Sequence, residues 1–135
     1  MTRPTAEVRR EVFRRADGRC EYCLIHQEDA AARHQVDHVV AEKHGGRTTL
    51  ENLSLSCLPC NRRRSSDIGA IDPQTGQFVR LFDPRQQVWS QHFQFVAEYI
   101  EGKTSHGRAT VEFLKLNTPE RLQERRSLIR TGRLP

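Results

Sequence analysis

The first part of the chain has apolar residues spaced for a helix. Val8, Val12 and Ala16 recur every fourth position, which places them on one face of a helix over residues 5–17, and Gly18 marks its end. The opposite face is charged, and one glutamate precedes an arginine by four positions, a favourable order for an ion pair. We expect this charged face to be solvated rather than in contact with DNA; it carries Glu7, Arg10, Glu11, Arg14 and Arg15.

The next part of the chain has the pattern of two short strands and a helix. Residues 35–40 are a β-prone segment, and residues 53–57 alternate apolar and polar positions as a half-buried strand does. A loop over residues 41–50, turned by a Gly-Gly pair, separates them, so we expect the strands to be antiparallel. Residues 61–66 then read as the start of a helix. The predicted order is strand, long loop, strand, helix.

The pattern is mixed after residue 67. Residues 72–76 are typical of a turn, and a short strand is predicted over residues 78–82. Residues 88–100 hold aromatic residues in partial alternation, and both strand and helix stay open for them; we expect these aromatic side chains to be core. Residues 110–116 are predicted to be helical, and a last helix over residues 118–130 begins with a threonine cap and a proline.

The composition favours an acidic partner. The 135 residues carry a formal net charge of +5, and lysine accounts for few of the 22 cationic side chains. Arginine presents a planar fork of donors that matches phosphate oxygens, so the charge suits nucleic acid better than a membrane surface. Four cysteine thiolates around one zinc ion would add about −2 and leave about +3. Hydrophobic residues make up only 36% of the chain, so a metal ion would help to stabilise the fold.

Four cysteines stand in two pairs of the form Cys-x-x-Cys. The pairs are Cys20 with Cys23 and Cys57 with Cys60. Two such pairs supply four thiolates in a tetrahedron, which predicts a closed structural zinc site with no position for water. No apolar stretch follows Met1, so we expect no signal peptide, a cytoplasmic protein and no structural disulfides. No apolar run approaches the length of a membrane span.

Polar residues between and beside the cysteine pairs suggest a second metal site. Hydrolysis of a phosphodiester needs an activated water and a cation beside the phosphate. Imidazole has an ordinary pKa of about 6.5 and can take a proton from water near neutral pH, which suits His38 to that task. Asp37 and Asn61 offer the oxygen ligands that a hard cation needs. We expect Asp37 and His38 to point to opposite faces of their strand, and the helix start at Asn61 to add positive charge near the phosphate.

The residues from Cys20 to about Arg64 resemble the HNH endonuclease family. The similar segments are RCEYC, VDHVVAEKHGG and ENLSLSCLPCNRRR. The resemblance implies a ββα-metal core, with Asp37 and Asn61 as ligands of a catalytic Mg²⁺ or Mn²⁺ and His38 as general base. It also implies that Asn52 braces the loop and orients the histidine. Hydrolysis in this family leaves 5′ phosphate and 3′ hydroxyl ends.

Two positions depart from the usual family pattern. Asn61 stands where histidine is usual, which replaces an imidazole ligand by an amide oxygen and favours Mg²⁺ or Mn²⁺. Ala41 stands where proline is frequent, which concerns the stiffness of the loop. Arg62, Arg63 and Arg64 follow the expected metal ligand and are predicted to contact phosphates. His44 is a further candidate for nucleic-acid contact.

Together these patterns predict one α+β domain over residues 1–135. It has a zinc-bound ββα core over about residues 20–66, a helix before the core and a mixed extension over about residues 72–135. The predicted function is a metal-dependent endonuclease acting on DNA, with RNA as an open alternative and the oligomeric state undecided. A zinc-dependent nucleic-acid-binding module without catalysis is the first alternative. A redox protein is the second, and it would need a reactive cysteine.

Overall fold

The computed structural model of the protein describes residues 3–135, which pack into two compact units. The first unit consists of residues 3–68 and 83–86, and the second of residues 69–82 and 87–135. The sequence predicted one domain over residues 1–135 with an extension after about residue 72, whereas the described residues form two units. No helix of the described residues is long and apolar enough to span a membrane.

Helix α1 (Ala6–Arg15) opens the first unit and confirms the predicted helix. The hydroxyl of Thr5 accepts a hydrogen bond from the backbone N–H of Val8 and caps the first turn. The helix ends because Asp17 and Gly18 both take left-handed backbone conformations, with φ of 54° and 69°. Its apolar face, centred on the fully buried Val12, packs against the hairpin that follows.

Strands β1 (Gln35–His38) and β2 (Leu53–Ser56) form the predicted antiparallel hairpin. Leu53 and Leu55 point toward α1 and are fully buried, and their full burial contributes about 1.5–3 kcal/mol each. Helix α2 (Leu58–Arg64) follows β2 directly and contacts β1. The elements β1, β2 and α2 make the ββα core that the sequence predicted.

Helix α2 begins three residues earlier than predicted. Cys57 caps the helix and Pro59 lies in its first turn, so Asn61 is the fourth residue of the helix rather than its start. The backbone N–H of Asn61 donates to the carbonyl of Cys57 at 2.9 Å and is not free for a ligand. The expectation that a helix start at Asn61 adds positive charge to the phosphate site is therefore wrong.

The second unit begins with a hairpin of strands β3 (Gly69–Ile71) and β4 (Phe78–Arg80). The turn between them is closed by Asp72, whose carboxylate accepts hydrogen bonds from the backbone of Gln74 and the hydroxyl of Thr75. The same carboxylate binds the guanidinium of Arg108 through two contacts, at 3.0 and 2.8 Å. Asp72 is fully buried, so it ties the hairpin to the helix that carries Arg108.

The segment that the sequence left undecided contains a helical turn and a hairpin. Helix α3 (Trp89–His92) leads into strands β5 (Phe93–Val96) and β6 (Tyr99–Gly102). The two-residue turn between these strands holds Ala97 at a φ of 53° and has no glycine or asparagine to signal it. Of the aromatic residues here, Phe93 is buried and packs on Trp89 at 5.1 Å between ring centroids, whereas Tyr99 is exposed.

Two helices complete the second unit. Helix α4 (Ser105–Phe113) packs against β6 and begins five residues before the predicted helical segment. Helix α5 (Pro119–Arg130) has Thr118 as its cap, as predicted. The guanidinium of Arg125 is buried and bonds the carbonyl of Glu98 and the side chain of Asn117.

Candidate active site

The four cysteines converge in the first unit. One pair lies in a tight turn after α1, where the backbone N–H of Cys20 donates to the carbonyl of Ile25 at 2.8 Å. The other pair flanks the first turn of α2. All four are buried free thiols, and their sulfur atoms lie within 4.8 Å of one another. The sulfurs of Cys23 and Cys57 are 3.7 Å apart, close to the spacing of about 3.8 Å expected for two tetrahedral zinc ligands with bonds of about 2.3 Å.

The donor set fits a structural zinc ion. Without a cation, burial raises the pKa of the Cys20 thiol, and the neighbouring cysteines raise that of Cys60. A bound divalent cation reverses this preference, because thiols that coordinate it are deprotonated. Burial of all four thiols also argues against the redox alternative, which needs an accessible cysteine.

The polar residues predicted to do chemistry meet at one cavity of about 510 Å³ beside β1 and α2. Asp37 and His38 reach it from the end of β1, and Asn61 reaches it from α2. Although neighbouring strand residues point to opposite faces, Asp37 and His38 line the same cavity. The rest of the lining combines charged and small polar groups: Ala41, Glu42, Lys43, Arg62, Ser65 and Ser66.

The imidazole of His38 is held by a hydrogen bond at one ring nitrogen, and the other nitrogen faces a carboxylate. His38 is only 5% exposed, and its Nε2 lies 2.8 Å from the hydroxyl oxygen of Thr48, in the loop between the strands. Its Nδ1 lies 3.8 Å from a carboxylate oxygen of Asp37. Glu42 is near as well, with a carboxylate oxygen 4.0 Å from Nε2. The ring therefore has a fixed orientation in which Nδ1 faces the carboxylate of Asp37.

Asn52 holds the loop between the strands closed. Its side-chain oxygen accepts from the backbone N–H of Val40 at 3.0 Å, and its amide nitrogen donates to the carbonyls of Val40 and Arg47, each at 2.9 Å. Gly46 packs into this arrangement, because a Cβ there would lie 1.7 Å from the carbonyl oxygen of Val40. Asn52 thus spans the loop that carries Thr48, and does not itself line the cavity.

The departure at Ala41 leaves this residue in a backbone conformation that proline would also adopt. Ala41 has a φ of −61°, which is the value that proline imposes. Its carbonyl accepts hydrogen bonds from the backbone of His44 and Gly46. The side chain of His44 is exposed and lies outside the cavity lining.

The three arginines after Asn61 have different surroundings. Arg62 is exposed and lines the cavity, and Arg63 is exposed on the same helix. Arg64 is only 5% exposed, and its guanidinium donates to the backbone carbonyls of His38 and Val39. The prediction that Arg64 contacts nucleic acid is wrong. The two buried carbonyls need hydrogen-bond donors, and the guanidinium that supplies them lies inside the fold.

Two residues that the structure brings to the site had no signal in the sequence, and the burial of a third could not be predicted. Thr48 and Glu42 approach His38 through the folding of a loop, and no residue spacing predicts such contacts. Arg64 stands in a run of three arginines in which nothing distinguishes the buried one. Glu42 follows His38 by four positions, but that spacing is informative only within a helix.

Comparisons with known proteins find similarity in one family and one relative. Residues 20–67 match the family model described as HNH endonuclease. The chain is also 25% identical over 118 residues to the Septu protein PtuB of Bacillus thuringiensis, a match that covers 86% of this chain and 43% of that protein. The chain thus spans less than half the length of that relative, and no solved structure matches. Residues 20–67, which hold the ββα core and the four-cysteine cluster, are thus similar to the HNH endonuclease family.

Proposed function

We propose that this protein is a metal-dependent endonuclease that hydrolyses phosphodiester bonds in DNA, with His38 as the general base. The observation that carries the proposal is the convergence of Asp37, His38 and Asn61 at one cavity, with the imidazole fixed by Thr48. A general base must lie within hydrogen-bond reach of the water that it deprotonates, and its ring must be oriented toward that water. The fixed ring of His38 at the cavity wall meets the second requirement.

The contacts of His38 support Nδ1 as the basic nitrogen. Nε2 has the Thr48 hydroxyl as its hydrogen-bond partner, and we assign the ring proton to Nε2 as the donor in that bond. Nδ1 is then free of a proton and can take one from water. When Nδ1 becomes protonated, the carboxylate of Asp37 at 3.8 Å stabilises the imidazolium that forms.

Asp37 and Asn61 would hold the catalytic cation, and Glu42 adds a third oxygen donor at the same cavity. A set of carboxylate and amide oxygens fits Mg²⁺ or Mn²⁺ better than metals that prefer nitrogen or sulfur. When bound, such an ion supplies positive charge against the negative charge that develops on the phosphate. The hydroxyl of Ser56 lies 3.4 Å from the side-chain oxygen of Asn61 and helps to orient this amide.

The proposed contacts with the substrate are made by exposed side chains at and near the cavity. Arg62 lines the cavity directly, Arg63 is exposed one position later, and His44 is exposed in the loop. Contacts of arginine with phosphate give affinity without sequence specificity. The cysteines are free thiols rather than disulfides, which supports the further proposal of a cytoplasmic setting.

The test is a cleavage assay with protein that holds one zinc ion per chain and no other metal. Supercoiled, relaxed and single-stranded DNA and a structured RNA are each incubated with and without added Mg²⁺ or Mn²⁺. We expect DNA cleavage that requires the added metal, with 5′ phosphate ends on the products. Binding of nucleic acid without cleavage of any substrate would reject the proposal and favour the non-catalytic binding module.

A further inference from the structure

A second, larger cavity of the first unit lies along α1. It is an open groove of about 760 Å³ that shares no lining residue with the cavity at His38. One wall is the solvent side of α1, and the other is formed by the turn after α1, His26 and Arg33. The full lining, called the arginine groove below, consists of Ala6, Arg9, Arg10, Phe13, Arg14, Asp17, Gly18, His26 and Arg33.

The arginine groove has a strong excess of positive charge. Four arginines line it against one carboxylate, that of Asp17. Arg14 is partly neutralised, because its guanidinium makes two hydrogen bonds to Glu11. Arg9, Arg10 and Arg33 are exposed, and across residues 3–135 their guanidinium groups have no hydrogen bond or ion pair. Three unpaired guanidinium groups around one groove concentrate positive charge there, which an anion would complement.

Two wall residues of the groove are anchored by contacts with the fold. Phe13 lines the groove and also packs on the apolar core around Val12. The ring of His26 lies over Gly18, where a Cβ would be 2.7 Å from Nε2. The Nδ1 of His26 accepts a hydrogen bond from the backbone of Glu28 at 3.0 Å, so the ring is held from its other side as well. Arginines on a fixed frame lose less freedom on binding a ligand than arginines on a mobile loop.

We infer that the arginine groove binds the phosphodiester backbone of nucleic acid, as a second contact surface separate from the catalytic cavity. The planar fork of arginine binds phosphate oxygens through two parallel hydrogen bonds, and the groove presents several such forks and no lysine. The choice of nucleic acid over an acidic polypeptide rests on the proposed function, which gives the same unit a phosphodiester substrate. The charged face of α1, expected from the sequence to be merely solvated, becomes part of a binding surface.

The test is the affinity of catalytically inactive His38→Ala protein for a fluorescent DNA duplex, measured by anisotropy over a series of salt concentrations without added Mg²⁺. In this background Arg9→Gln, Arg33→Gln and the double variant remove unpaired groove charges. Arg130→Gln is the matched control, because Arg130 is an exposed arginine outside the groove and also has no partner in the described residues. Thermal unfolding of each variant checks that the fold is retained.

We expect each groove substitution to reduce the slope of log affinity against log salt by about 0.9, and the double variant to lose at least about tenfold in affinity. Arg130→Gln should leave the slope unchanged. A double variant that binds like Arg130→Gln would overturn the inference. Displacement of the duplex by polyglutamate as effectively as by unlabelled duplex would overturn the assignment to nucleic acid. The two proposals can fail separately. If the protein with His38 intact cleaves no substrate, the nuclease proposal fails, but loss of DNA binding in the groove variants would still uphold this inference.

Discussion

At the scale of single residues, the orientation of His38 depends on a side chain that does not touch the predicted metal ligands. The Thr48 hydroxyl binds Nε2 and leaves Nδ1 directed at Asp37. Asn52 and Gly46 in turn fix the loop on which Thr48 lies. The residue types needed for hydrolysis were visible in the sequence, but this chain of support was not, because a loop contact between residues ten positions apart has no spacing rule.

Replacing Thr48 tests whether it positions the general base. Thr48→Val removes the hydroxyl with little change in shape, so the imidazole loses its partner at Nε2. We expect kcat for DNA cleavage to fall by about tenfold to a hundredfold with little change in KM, because substrate contacts remain while the base is misplaced. Thr48→Ser should restore most of the rate. Equal rates for the valine and serine variants would show that the hydroxyl does not orient His38.

At the scale of elements, α2 contributes to the first unit in three ways. Two of the cysteines flank its first turn, and Asn61 lies in its middle. Arg64, its last residue, donates a hydrogen bond to the backbone carbonyl of His38. The sequence predicted the two strands and a helix start over residues 61–66, whereas the inward direction of Arg64 follows from two carbonyl groups at the end of β1 that need donors.

Substitution of Arg64 and of its exposed neighbour Arg63 separates structural from surface arginines. Arg64→Met leaves the carbonyls of His38 and Val39 without their donor, so we expect the free energy of unfolding to fall by about 2–3 kcal/mol. Arg63→Met should change it by less than about 0.5 kcal/mol, since Arg63 is exposed. Denaturant unfolding of both variants checks this. A smaller loss for Arg64→Met than for Arg63→Met would contradict the buried role.

In the second unit, the ion pair of Asp72 with Arg108 predicts a dependence of stability on pH. The hydrogen bonds from the Arg108 guanidinium hold the pKa of Asp72 well below its usual range of about 3.9. A carboxyl whose pKa is lower in the folded state than in the unfolded state stabilises the fold fully above its unfolded pKa. This contribution is lost as the pH falls from the unfolded pKa toward the folded pKa. We therefore expect Asp72→Asn to lower Tm by several degrees at pH 7 and by progressively less below about pH 4. The measurement is Tm for both proteins from pH 7 to pH 3, and a constant difference would contradict the account.

At the scale of the whole molecule, the two compact units have different sources of stability. The four cysteines all belong to the first unit, whose apolar cluster is centred on only Val12, Leu53 and Leu55. Residues 69–82 and 87–135 contain no cysteine and are held by apolar burial and by buried arginine contacts such as that of Arg125. A structural zinc ion should therefore matter for one unit and not for the other.

Removal of zinc tests this division. In hydrogen exchange followed by mass spectrometry, we expect chelation to accelerate exchange strongly in peptides from residues 20–67, because a structural zinc site contributes directly to folding. Peptides from α4 and α5 should exchange at unchanged rates. Protection that is lost equally in both units, or in neither, would contradict the assignment of zinc as the support of the first unit.

Features that depend on residues close together in the sequence could be predicted, whereas features that depend on residues brought together by folding could not. The cysteine pairs, the strands around His38 and the cap at Thr118 depend on near neighbours, and all were predicted. The hairpin turn at Ala97 was not, because its backbone conformation is imposed by the pairing of β5 with β6 rather than by its residue type. The arginine groove was also hidden, since Arg33 joins α1 only through the fold.

The central claim is tested most directly by His38→Ala and His38→Asn in a DNA cleavage assay with added Mg²⁺, beside zinc content and thermal unfolding of the same samples. His38 is not one of the four residues expected to bind zinc, so each variant should keep one zinc ion per chain and its fold. We predict that cleavage falls by at least about a hundredfold in both variants, the contribution expected of a general base. A variant that keeps its zinc and nicks plasmid at the wild-type rate would contradict the account.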